Sequence, residues 1–198
     1  NEPLGGYMVG VSGGSLLQRI KYYEMVAAGG KHINVYDYGP YYANVDSWST
    51  SYDLYPTFSA VQHELARIDE ALHGTTRHKT DVAILYNRSA GIWMRNNNDS
   101  EQDARYIHWA LAHAGYDADF IPEEDIVAGK LANYKVLYLN GIQIRRDAAQ
   151  KIADWTQNGG VLFGDAGAGS CDEHNRPIDT FDKVFGVQSQ DLKLVNPA

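Results

Sequence analysis

Residues 15–42, SLLQRIKYYEMVAAGGKHINVYDYGPYY, decide how this chain is built. Ser15 is a plausible N-cap, and Leu16, Ile20, Tyr23 and Ala27 recur at helical spacing, so a helix is predicted over 15–29 with this stripe turned inward. Gly29-Gly30 supplies the helix stop. Residues 32–38 (HINVYDY) then alternate, with Ile33 and Val35 on one face and Asn34, Tyr36 and Tyr38 on the other, before Gly39-Pro40 ends the strand. A parallel strand needs cover on both faces, and a helix–strand–helix unit with no sheet of its own cannot supply it. The unit is therefore expected to belong to a larger structure, with the greasy face of the strand against helices and the polar-aromatic face toward a ligand.

The flanking segments extend that reading. Residues 1–14 (NEPLGGYMVGVSGG) are glycine-rich and are expected to be loop. The loop 39–56 is long for a connection, and long loops in compact folds are usually functional or mobile. A second helix is predicted over 57–73, capped by Thr57, with Phe58, Val61, Leu65, Ile68 and Leu72 as its buried stripe. Residues 74–80 (GTTRHKT) serve as linker. From Asp81 the rhythm becomes strand–helix alternation: strands at 81–86, 116–122, 135–140 and 161–165, with helices at 99–114, 146–158 and 178–185. Short apolar runs between helices predict a doubly wound parallel α/β sheet. Two domains follow, 1–78 and 79–198, the second expected to be incomplete at its C-terminus.

Composition narrows the function classes. The net charge of -8 over 198 residues argues against an electrostatic grip on nucleic acid or an anionic membrane. No apolar run approaches the length of a membrane span. A single cysteine, Cys171, rules out an internal disulfide framework. A soluble protein is expected; its compartment is left open, with the cytoplasm favoured.

Several catalytic patterns are missing from the second domain. The strand-to-helix elbow, Leu139-Asn140-Gly141-Ile142-Gln143, holds neither Cys nor Ser, so acyl transfer has no nucleophile there. Asn87-Arg88-Ser89-Ala90-Gly91 does not spell the dinucleotide fingerprint. The glycine-rich GDAGAGS (164–170) follows a late strand and leads into no clear helix, a weak phosphate-binding signal. Cys171 and His174 have C-x-x-H spacing, but a zinc site needs two more ligands and none is nearby. No metal and no cofactor are expected.

Chemistry-bearing residues concentrate in the first domain. Tyr36, Tyr38, Tyr41, Tyr42 and Trp48 have Gly, Pro, Asn, Asp and Ser as neighbours rather than aliphatics, which favours a sugar-facing platform over core packing. Asp37 ends the strand and is either a capping residue or a ligand contact. Glu2, within Asn1-Glu2-Pro3, is either a solvated carboxylate or a catalytic glutamate at the C-terminal end of a barrel strand.

AAGGKHINVYDYGPYY (27–42) resembles the approach to the eighth barrel strand in family 42 glycoside hydrolases, the β-galactosidase type. LNGIQIRRDAAQKIADWTQNGGVLFGDAGAGSCDEHNRP (139–177) is similar to a strand, helix, N-G-G turn, strand and D-E-x-N loop of the same enzymes. The resemblance implies the last strand and helices of a (β/α)8 barrel followed by a flavodoxin-like trimerisation domain, related to class I glutamine amidotransferases but without their nucleophile. It implies retaining hydrolysis of β-linked sugars by two carboxylates about 5–5.5 Å apart. One helix separates Glu2 from strand eight, so the resemblance places it at the nucleophile position, with Tyr36, Asp37, Tyr38, Tyr41 and Trp48 as substrate contacts. It also implies a carbohydrate substrate for the full-length protein, a homo-oligomer (trimer), and a chain inactive by itself. The alternative is a non-catalytic α/β oligomerisation or carbohydrate-binding module.

Overall fold

A computed structural model describes residues 5–9, 14–36, 54–76, 78–93 and 99–187. The chain forms two compact units, Asn1–His78 and Lys79–Ala198.

Unit 1 is a strand–helix–strand–helix: β1 (Gly5–Val9), α1 (Gly14–Ala27), β2 (His32–Tyr36) and α2 (Leu54–Leu72). The two strands pair in parallel, from Gly5 against His32 to Val9 against Tyr36. β1 corrects the expectation of a loop over 1–14. Its glycines mark a close approach rather than a turn: a Cβ on Gly6 would lie 2.7 Å from the Met25 methyl of α1. Helix α2 starts at Leu54, so Thr57 lies inside it and is not the cap. The core of unit 1 is Met8, Tyr22, Leu54, Phe58 and Val61, with Met25, Ile33, Val35 and Leu65 packed against it.

Helix α1 reverses the predicted stripe. It buries Gln18 and Tyr22 and leaves Leu16 (69% exposed), Ile20, Tyr23 and Ala27 open, around a shallow hollow of about 380 Å³. Tyr22 wins the inward place because its ring packs on Phe58, with centroids 5.9 Å apart, while its hydroxyl accepts a hydrogen bond from Gln62. Ile68 of α2 is likewise exposed. Elsewhere Tyr22 and Val26 of α1 and Leu65 and Asp69 of α2 border a groove of about 1200 Å³.

Unit 2 holds a four-stranded parallel sheet in the order β4-β3-β5-β7: Asp119–Pro122, Val82–Tyr86, Val136–Leu139 and Val161–Gly164. This 2-1-3-4 order is the flavodoxin-like doubly wound pattern. On one face α5 (Glu123–Val127), α6 (Arg146–Gln157) and α7 (Thr180–Phe185) enclose Ala83, Leu85, Ile121, Leu137, Leu139, Ile152 and Phe181. On the other, α4 (Asp99–His113) sets Ala104, Ile107 and Leu111 against Val82, Ile84, Ala118 and Tyr138. The short helix α3 (Arg88–Trp93) and the two-residue strands β6 (Gln143–Ile144) and β8 (Cys171–Asp172) complete the C-terminal edge of the sheet. No helix among the described residues is long and apolar enough to cross a membrane.

Candidate functional site

In unit 1 the parallel register brings Val9 and Tyr36 together, so β1 and β2 finish at the same edge. That edge is where β/α folds place ligand chemistry. The backbone of Tyr36 closes β2; Asp37, Tyr38, Tyr41 and Trp48 follow it in the chain and lie outside the described residues. Glu2, which precedes β1, is outside them too.

The polar chemistry described in unit 1 lies between its helices. Arg19 and Tyr23 of α1 both donate to Glu64 Oε2 of α2, each at 2.5 Å. The Tyr23 and Arg19 hydrogen bonds hold the half-buried Glu64 carboxyl below the usual carboxylate range. This cluster clips α1 to α2 beside the bare apolar stripe.

In unit 2 the C-terminal edge of the sheet, the usual ligand crevice of doubly wound folds, is occupied by the chain's own side chains. Glu123, 1% exposed, accepts hydrogen bonds from Ser89 N–H (3.1 Å), the Ser89 hydroxyl (2.9 and 3.0 Å) and Arg145 N–H (2.8 Å). One carboxylate therefore serves the starts of both α3 and α6, the position an anionic ligand takes elsewhere. Beside it, Asn87 donates to the Asn140 carbonyl (2.6 Å) and accepts from Ala90 N–H. Gly141, between β5 and β6, adopts a positive φ of 78°, a turn that glycine makes without strain.

In the glycine-rich 164–170 segment most of the turn's amides are engaged by the chain's own carbonyls. The N–H groups of Ala168, Gly169, Ser170 and Cys171 donate to the carbonyls of Asp165, Gly141, Gly167 and Ile142. Asp165, at the start of this turn, has its carboxyl pushed up to about 6 by loss of solvent and by the Asp103 carboxylate, against the pull of a Gly141 N–H.

The Cys171–Pro177 loop is organised around Asp172. Its buried carboxylate accepts from the Arg146 guanidinium (2.9 Å), His174 N–H (3.0 Å) and Arg176 N–H (2.8 Å). Burial works to raise its pKa; the Arg176, Arg146 and His174 hydrogen bonds outweigh it and hold the group below the usual range. Glu173 caps α6 through Arg146 N–H and holds the Trp93 indole N–H on its carbonyl. The pairing that sequence spacing suggests between Cys171 and His174 yields a structural loop, and no group of three His, Cys, Asp or Glu among the described residues is placed to hold a metal ion. Sequence reasoning missed Glu123 and Asp172; the available signal was an acidic residue immediately after a strand and a D-x-x-N turn.

The β/α repeat and the flavodoxin-like parallel sheet together have the α/β fold seen in the C-terminal part of family 42 β-galactosidases. A β-galactosidase from Bifidobacterium adolescentis matches 61% of this chain and 59% of its own, at 23% identity and a TM-score of 0.53. Gan42B, a family 42 β-galactosidase from G. stearothermophilus, matches 91% of this chain at 18% identity and a TM-score of 0.63. An exo-carrageenase of the same family from Bacteroides ovatus matches 85% at 13% identity and a TM-score of 0.62. The chain spans only 29% and 24% of the last two structures. No family sequence model matches the chain. No curated protein sequence matches it either.

Proposed function

We propose that this chain is the C-terminal part of a retaining glycoside hydrolase acting on β-linked galactosides, with residues 1–78 closing a (β/α)8 barrel and 79–198 forming a flavodoxin-like assembly domain. The observation that carries this reading is the bare surface of unit 1. Its parallel strand pair has no further strand on either side among the described residues, and the apolar stripe of α1 faces solvent. Both features suit a repeat flanked by further β/α units, and the likeness to Gan42B runs over 91% of the chain.

In this reading Glu2 is the nucleophile, and Tyr36, Asp37, Tyr38, Tyr41 and Trp48 contact the sugar. A retaining mechanism needs a second carboxylate as acid/base, supplied by residues upstream, so the 198-residue chain is inactive alone. The assembled enzyme is a homo-oligomer.

The test compares the 198-residue chain with the product of the upstream-extended reading frame on an aryl β-galactoside. Hydrolysis is expected only from the extended protein, with retention of configuration, and Glu2→Gln should lower its kcat by about a thousandfold or more. An extended protein that hydrolyses the substrate equally well with Gln at position 2 would remove Glu2 from the mechanism.

A further inference from the structure

An asparagine followed by glycine is open to attack on its side-chain amide by the next backbone nitrogen, because glycine puts no side chain in the way. The chain spells this pair twice, at Asn140-Gly141 and at Asn158-Gly159. The two pairs meet opposite surroundings. Asn140 follows β5 and is 0% exposed, and its carbonyl accepts from Asn87. The N–H of Gly141 is held by the Asp165 carboxyl. Asn158, by contrast, is the C-terminal cap of α6, and both it and Gly159 are exposed. Gly159 has a φ of 102°, and a Cβ added there would meet nothing within 4 Å.

Access alone is not enough, since the attacking nitrogen must reach Asn158 Cγ. In the folded turn the Gly159 N–H donates to the Thr156 carbonyl (3.0 Å), and Asn158 Nδ2 donates to the Asp154 carbonyl (2.8 Å). Both bonds belong to the last turn of α6, so fraying of one helix end frees the reacting atoms. Freeing Asn140 requires parting the covered end of β5, an opening close in cost to unfolding unit 2. The two sites therefore differ in how often each reaches a reactive conformation.

We propose that Asn158 is a self-modification site, converted to aspartate and isoaspartate as the folded chain ages, while Asn140 is spared. The Gly159 nitrogen bonds to Asn158 Cγ, and the Cγ–Nδ2 bond breaks. The proton of the Gly159 amide leaves with that nitrogen as ammonia, and a cyclic imide remains. Water then opens the imide at Cγ, giving aspartate, or at the main-chain carbonyl, giving isoaspartate with a backbone longer by a methylene. Either product places a carboxylate at the C-terminal end of α6, where the helix dipole opposes it, one turn from Asp154. Isoaspartate also displaces the turn that seats Gly160 against the Trp155 ring, where a Cβ would lie 2.4 Å away, and that leads into β7. The modified chain holds α6 to β7 less firmly.

The test is peptide mapping by mass spectrometry of the folded chain during prolonged incubation in mildly alkaline buffer, with a second sample in guanidinium chloride. Exchange of amide for carboxylate is read at each asparagine, and electron-transfer fragmentation separates isoaspartate from aspartate. Unfolded, both Asn-Gly pairs should convert at similar rates. Folded, Asn158 should convert within about tenfold of its unfolded rate, and Asn140 roughly a thousandfold or more below its own. Aged wild type should unfold at a lower denaturant concentration than fresh protein. Aged Asn158→Gln should not, because the longer side chain closes the corresponding ring far more slowly. A folded Asn158 that keeps its amide while the unfolded control loses it overturns the site. Equal conversion of Asn140 and Asn158 in the folded chain overturns the selection by local opening. A modified sample whose unfolding midpoint is unchanged overturns the effect on the α6–β7 turn.

Discussion

Helices α4 and α6 flank the same sheet and solve opposite problems. α6 buries Ala148, Ala149, Ile152 and Ala153 and turns Gln150, Lys151, Asp154 and Gln157 to water. α4 buries Ala104 and turns Tyr106 and Trp109 outward. The sheet beneath repeats the contrast. Ala83, Leu85, Leu137 and Leu139, under α5, α6 and α7, are fully covered, whereas Val161 and Phe163 on the α4 side are about half exposed. Small residues at the α6 contact let helix and sheet approach closely, so cohesion there comes from packing within one chain. On the α4 side apolar surface is left over, and cohesion there is available for partners.

The anchoring of α6 predicts the largest effect. Removing the Glu123 carboxylate with Glu123→Ala strands three donors at the starts of α3 and α6, with an expected cost of about 4 kcal/mol in chemical denaturation. Added acetate should recover part of it. A variant as stable as wild type would mean that the carboxylate merely occupies space. Next comes a paired truncation across the sheet. Ile152→Ala, in the covered core, should cost about 3 kcal/mol, while Leu111→Ala, on α4 and only partly buried against the sheet, should cost about 1 kcal/mol. Equal losses would show the two layers to be equally packed and erase the contrast.

The smallest effect concerns Asp165. Its folded pKa of about 6 lies above the ordinary 3.8, so the folded chain holds more protons than the unfolded one between about pH 4 and 6. Stability should therefore fall as pH rises through that window. Asp165→Asn should melt higher than wild type at neutral pH and match it near pH 4. The residue as a whole is exposed, so screening keeps the difference small. Coincident melting curves at both pH values would show that Asp165 titrates as a free carboxylate.

The sequence reports apolar periodicity, and the legible parts of the fold are those where periodicity and cover agree. The runs at Val82–Tyr86, Val136–Leu139 and Val161–Gly164 form strands as expected, and in the helix predicted over 146–158 Ala148, Ala149 and Ile152 meet the core. Helix α1 shows the limit of this reading. Leu16, Ile20, Tyr23 and Ala27 do form a stripe, but a stripe only announces that something covers it, and within unit 1 Tyr22 takes the core place. β1 was illegible because glycine signals both turns and close backbone approach, and only the position of Met25 separates the two. Glu123 was illegible for the converse reason: in Pro122-Glu123-Glu124-Asp125 three acids look alike, and only the converging N–H groups of Ser89 and Arg145 single one out. For the candidate site, the chain leaves β2 at the shared edge of the parallel pair, and the residues proposed to hold the sugar begin there, at Tyr36, and continue beyond the strand.

The position of β3 has a consequence for how the molecule breathes. Ala83, Ile84 and Leu85 are wholly inaccessible, and the strand is bonded on both sides, to β4 and β5. Its amide protons can reach water only through the largest opening of unit 2, whereas those of the β1–β2 pair need no more than the parting of two strands. Isotope labelling of the native chain would thus follow two clocks, a fast one on unit 1 and a slow one centred on β3.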